Sequence, residues 1–168
     1  RRNACMGIAF FAAAAGWFAL NLSAGSLSDN ALLNLVLLTL IDVPAYHFAG
    51  VLAERHGTSP TAQGLFGCGS LVLATLSLLA GHVDQTVITA VALLGKACVS
   101  GTFALLWILP AEIYPSSSLG SALGFANVCG RSGSLLAPLV ANLLPLAGTA
   151  AVCCAVAAVG GSALLFLE

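Results

Sequence analysis

Long runs of apolar residues, each about the length of a bilayer crossing, are separated along the chain by short polar clusters. The clusters lie at Ser23 to Asn30, Glu54 to Pro60, Gly81 to Gln85, Pro110 to Ser118 and Leu144 to Gly148. Six apolar segments remain between them, at about 4–22, 31–53, 63–81, 86–109, 119–143 and 147–167. A spanning helix needs about 20 mostly apolar residues at 1.5 Å rise each, so the pattern predicts six transmembrane helices. The connections are short, which makes neighbouring helices antiparallel. The segments are apolar all round and lack the one-sided stripe of a water-soluble helix. The expected fold is an all-α membrane protein, one bundle over residues 1–168.

Composition sharpens this picture. The chain is 60% hydrophobic with a mean hydropathy of +1.04, well above the roughly 45–50% apolar usage of soluble domains. The net charge of −1 offers no basic patch for nucleic acid. Arg1 and Arg2 precede the first segment and Arg55 follows the second, whereas the opposite connections carry Asp29 and Asp84 and no Lys or Arg. The positive-inside rule then puts both termini and the Arg55 connection in the cytoplasm. The chain opens on Arg1 without a Met or a cleavable signal pattern, and it reads as a fragment or a processed chain. The six cysteines fall inside apolar segments without a C-x-x-C or metal-ligand spacing, the pattern of small packing residues. Gly120 and Gly124 are spaced for close helix packing and Pro138 for a bend.

Charge placement carries the first functional hint. Asp42, Lys96 and Arg131 each sit near the middle of an apolar segment. A charge at the bilayer centre costs at least about 2.5–3.5 kcal/mol on insertion scales, so it marks a polar path, a partner or a ligand. Transport follows as the first hypothesis. Arg131 is flanked by Gly130, Ser132, Gly133 and Ser134. Small neighbours leave room for a ligand, and a guanidinium grips a carboxylate in a two-pronged fork. The bland alternative is a salt bridge with Asp42 or a helix-packing contact. Asp42 lies two residues before Pro44, which removes a helical N–H. It is placed to pair with Lys96, to bind the cationic end of a substrate, or to carry a proton. Tyr46 follows one turn later on the same face.

Several motifs recur together in order. Gly50-Val-Leu-Ala-Glu54-Arg55-His-Gly57 resembles the G-x-x-x-[DE]-R-x-G-R-R loop of the major facilitator superfamily, with Thr58 and Ser59 in place of its two closing arginines. Leu20-Asn21-Leu-Ser23-Ala24-Gly25, Gly95-Lys96, Ser100-Gly-Thr-Phe103, Ala111-Glu112-Ile-Tyr114-Pro115 and Gly130-Arg131-Ser132-Gly133-Ser134-Leu-Leu-Ala137-Pro138 are similar to the organic cation, anion and zwitterion transporters of that superfamily. The resemblance covers about residues 16–140. It implies the C-terminal six-helix half of a twelve-helix transporter, with an N-terminal half as partner.

The resemblance also implies roles. Arg131 stands where that family's anion and zwitterion transporters are basic, which implies an anionic or zwitterionic substrate. Some of its anion transporters have a lysine where this chain has Tyr46. Asp42, Tyr46, Lys96 and Arg131 become the candidate substrate wall. Glu54, Arg55 and Glu112 become a charge network at the cytoplasmic helix ends, with Arg55 pairing Glu112 in the outward-facing state. Leu119 replaces a further family arginine, so Arg55 is the remaining matched cation. The expected setting is a plasma-membrane transporter that moves small organic ions by alternating access.

Other classes fit less well. Gly130-Arg131-Ser132-Gly133 matches the G-x-S-G of intramembrane serine proteases, but no histidine follows Ser132 to serve as base. An enzyme is not expected. No nucleotide loop or ligand cluster implies a cofactor or metal. Two rivals remain in view: a truncated membrane protein that does not transport, and a porter of sugars or other neutral solutes. Asn21-Leu22-Ser23 matches a glycosylation acceptor but lies too near a membrane end for modification.

Overall fold

The computed structural model describes residues 2–23, 31–80 and 82–166. Gly81 and the 24–30 connection with Asp29 lie outside the described residues, as do the Ala24 and Gly25 of the first motif. The described residues form seven α-helices: α1 (Arg2–Leu22), α2 (Ala31–Leu40), α3 (Asp42–His56), α4 (Thr58–Leu79), α5 (Gln85–Ile113), α6 (Ser116–Leu143) and α7 (Leu146–Leu165). The protein is an all-α membrane protein. Large apolar side chains such as Leu32, Phe48, Leu71, Leu78, Leu135 and Leu143 cover its outside. In water such a surface would drive association, whereas in a bilayer it meets lipid.

Two details depart from six uniform rods. The second span, Leu32–His56, is two helices joined through a turn at Ile41. Pro44 has no N–H to offer the Leu40 carbonyl, while Ile41 N still donates to Leu37 O at 3.1 Å and Ala45 N to Ile41 O at 3.1 Å. The break therefore stays local. The other departure is α6. Five helical spans are long and apolar enough to cross a membrane, and α6 is not among them. It has the length at 28 residues but carries Asn127, Arg131, Ser132, Ser134 and Asn142, which lower its hydropathy.

Helix α1 runs through the middle of the bundle and packs along α5, α6 and α7, while α4 packs on α5 and α7 and α3 on α5. One part of the core gathers Met6, Phe10, Phe66, Leu105, Leu106, Leu109 and Leu164. A second gathers Leu20, Leu38, Leu73, Leu76, Ile88 and Val99. Contact between α1 and α6 depends on Gly133, where an added Cβ would meet the Phe11 carbonyl oxygen at 2.5 Å. The close-packing role expected of Gly120 and Gly124 is corrected, because nothing lies within 4 Å of a Cβ built on either. Their spacing puts them on one face, but that face has no neighbour among the described residues. Gly57 alone links α3 to α4, at φ 93°, a backbone conformation that side-chain-bearing residues rarely adopt.

Candidate functional site

The break at Ile41 leaves Asp42 in the first turn of α3, where the helix dipole favours a carboxylate. Opposite it, α5 presents Lys96 and, one turn on, Ser100. Lys96 Nζ donates to Asp42 Oδ1 at 3.0 Å and to Oδ2 at 3.3 Å. Ser100 Oγ donates to Asp42 Oδ1 at 2.5 Å and accepts from Lys96 Nζ at 3.2 Å. Lys96 is 0% exposed and Asp42 6%. Such depth demands mutual compensation, since an uncompensated ion there would cost on the order of several kcal/mol. Gly101 helps α5 come close: a Cβ there would meet Ala49 Cβ at 3.1 Å. Asp42 thus accepts three hydrogen bonds from its own chain.

Trp17 of α1 covers this pair, with the Lys96 ammonium 4.1 Å from its ring centroid. A cation over an indole face is held by the ring quadrupole. Trp17 also lines a cavity of about 240 Å³ between α1, α5 and α6. Its walls are aromatic: Phe10, Trp17 and Phe18 from α1, Phe103 and Trp107 from α5. Phe10 meets Trp107 edge-on at 5.5 Å, and Trp17 stacks with Phe103 at 6.3 Å. From α6 come Asn127, Gly130, Arg131 and Ser134. Arg131 is exposed, and the described residues contain one ion pair, Lys96 with Asp42. Asp42 is therefore not the partner of Arg131.

Of the four residues expected on the substrate wall, only Arg131 lines this cavity. Asp42 and Lys96 meet each other behind Trp17. Tyr46 is 40% exposed and lies near Asp42 and Trp17. Sequence reasoning passed over Trp17, Trp107 and Asn127. The signal was present, because the chain has two tryptophans and both face one cavity.

At the helix ends near Arg55, the pairing differs from expectation. Glu112 Oε1 accepts from Thr58 Oγ1 at 2.5 Å, and among the described residues no ion pair joins it to Arg55. Glu54 and Arg55 are both exposed. The physical reason is the tight joint at Gly57, which starts α4 at Thr58 and sets that 7%-exposed hydroxyl against the end of α5. Thr58, which stands where the motif has an arginine, reaches Glu112 as a neutral donor. Ser132, the serine of the protease-like motif, donates to Val128 O in its own helix at 3.0 Å.

No family profile matches the chain. Individual proteins do. Organic anion transporter 3 of Oryctolagus cuniculus is 31% identical over 180 residues, covering 99% of this chain and 31% of that protein. Organic cation/carnitine transporter 4 of Arabidopsis thaliana is 31% identical over 156 residues, covering 90% of this chain and 29% of that protein. Solute carrier family 22 member 16 of Homo sapiens is 26% identical over 144 residues, covering 85% of this chain and 25% of that protein. The chain thus spans about a quarter to a third of the length of the curated relatives it matches. By name these relatives include transporters of organic anions and of organic cations or carnitine.

Proposed function

From the homology of this chain to the organic anion, organic cation and carnitine transporters of solute carrier family 22, members of the major facilitator superfamily, we propose that it forms the C-terminal six-helix half of such a transporter. The whole protein moves a small organic anion across the plasma membrane by alternating access, one bundle rocking against the other about a central site. Both termini of this half face the cytoplasm. The N-terminal half closes the open side of the cavity between α1, α5 and α6.

One observation carries the substrate reading: Arg131 enters an aromatic-walled cavity without an acidic partner among the described residues, while Asp42 is already satisfied. A carboxylate forks onto Arg131, and an apolar or aromatic body lies against Phe10, Trp17, Phe103 and Trp107. An amine on the substrate finds no free carboxylate on this wall, so the anion is favoured over the zwitterion. The charged cavity also speaks against a sugar porter. With the N-terminal half closing the cavity the site is buried, and losing one charge-assisted partner in a buried site costs about 2–5 kcal/mol. Arg131→Ala in the full-length protein therefore abolishes uptake of an aromatic carboxylate such as benzoate at ordinary concentrations, at equal surface expression. Arg131→Lys retains part of it, because an ammonium lacks the fork. Undiminished anion uptake by Arg131→Asp sinks the assignment.

A further inference from the structure

We infer that this wall of the site selects anions by valence, accepting one negative charge and rejecting two, because Arg131 is the one cation in the cavity lining while Lys96 is neutralised by Asp42 behind Trp17. The inference rests on the anion-transport reading above and specifies its substrate class.

Accessibility decides which charges a substrate meets. Two cations lie in the central region of this chain, Lys96 and Arg131, and a site displaying both would suit a dicarboxylate. Lys96 is wholly buried and is absent from the cavity lining. Its ammonium is spent on both oxygens of Asp42 and on Ser100, and the face of Trp17 closes over it. The opposing charges of the pair cancel as seen from the cavity. Tyr46, Asn127 and Ser134 nearby carry hydroxyl and amide groups. Arg131 is left as the one cation lining the cavity, a formal charge of +1. A monocarboxylate is neutralised there. A second carboxylate would be desolvated among the aromatic rings of this wall with no counter-charge from this chain, which an apolar surface penalises strongly. Trp17 and Asp42 thus keep Lys96 out of the count: one covers it and the other neutralises it.

The test compares uptake of benzoate with that of isophthalate, which places a second carboxylate on the same ring, by full-length protein in proteoliposomes. The wild type is expected to favour benzoate at least ten-fold in kcat/KM. Asn127→Lys, which adds a cation to the cavity without disturbing the buried pair, should shift the ratio at least ten-fold toward isophthalate. The doubly neutral Asp42→Asn/Lys96→Met variant should keep the wild-type ratio. Equal handling of both substrates by the wild type overturns the valence inference while leaving anion transport intact, and so does an unchanged ratio in Asn127→Lys. Failure of the wild type to take up either anion is the separate result that removes the transport reading itself.

Discussion

The Lys96 ammonium rests 4.1 Å from the centre of the Trp17 ring, so a single indole divides a buried ion pair from an open cavity. That arrangement explains how one short chain holds three charges within its apolar spans. Asp42 and Lys96 compensate each other in a buried setting, and Arg131 faces an open cavity that a ligand can enter.

The ion pair makes a stability prediction. Removing one member of a buried pair strands the other charge and costs about 3–5 kcal/mol, whereas replacing both by apolar or neutral groups of similar size is often near neutral. Lys96→Met alone and Asp42→Asn alone should each lower thermal stability in detergent sharply. The double variant should recover most of the loss. Additive losses in the double variant would show that the two residues contribute independently.

The glycines of α6 give a second contrast. A methyl on Gly133 runs into the Phe11 carbonyl at 2.5 Å, and backbone cannot rotate away as a side chain can. Gly133→Ala should therefore cost about 1–3 kcal/mol by forcing α1 and α6 apart. Gly120→Ala meets nothing within 4 Å and should be neutral or about 0.4–1 kcal/mol stabilising through lost unfolded-state freedom. Thermal unfolding of the two variants side by side decides it, and equal effects would contradict the packing described.

The bonded partner of Glu112 changes the gate that the loop motif implies. Thr58, not Arg55, donates to Glu112, and a hydrogen bond to a charged group is worth about 1.5–3 kcal/mol. A term of that size biases a closely balanced two-state equilibrium. Thr58→Val and Glu112→Ala should each raise labelling of engineered cysteines in the cytoplasmic cavity of the full-length protein, and Thr58→Ser should not. Arg55→Ala should have a smaller effect. If Arg55→Ala matches Glu112→Ala while Thr58→Val is silent, the charge pair is the working contact.

What the sequence makes legible follows from how local each property is. Membrane class and helical content depend on the length and apolarity of continuous runs, and they read directly. Asp42 and Lys96 were marked by the cost of burying charge, and the structure brings them together. Which of their possible partners they took was not legible, because the choice depends on how α3 approaches α5 at Gly101. Thr58 was noted only as a missing arginine, since its contact with Glu112 spans 54 residues and arises from the one-residue joint at Gly57. Trp17 and Trp107 went unremarked because an aromatic residue in an apolar span looks the same whether it fills a core or lines a cavity. Gly120 and Gly124 differ from expectation for a related reason: spacing defines a face, and only tertiary structure says whether a helix lies against it.

The two tryptophans of this chain line the cavity together with Arg131, which makes occupancy optically readable. An aromatic carboxylate held by Arg131 brings its ring against Trp17 and Trp107, and stacking of rings within about 4.5–7 Å alters the indole environment. Benzoate added to the full-length protein should therefore change tryptophan emission in a saturable way. The Trp17→Phe/Trp107→Phe variant keeps the aromatic walls but removes these reporters, so most of that change should vanish while uptake persists in part. Arg131→Ala keeps the reporters and removes the anchor, so the response should move to concentrations at least ten-fold higher. A full response that survives in the double phenylalanine variant would place benzoate elsewhere in the transporter. An unshifted titration in Arg131→Ala would separate the aromatic cavity from the guanidinium and assign Arg131 to a contact with the other half.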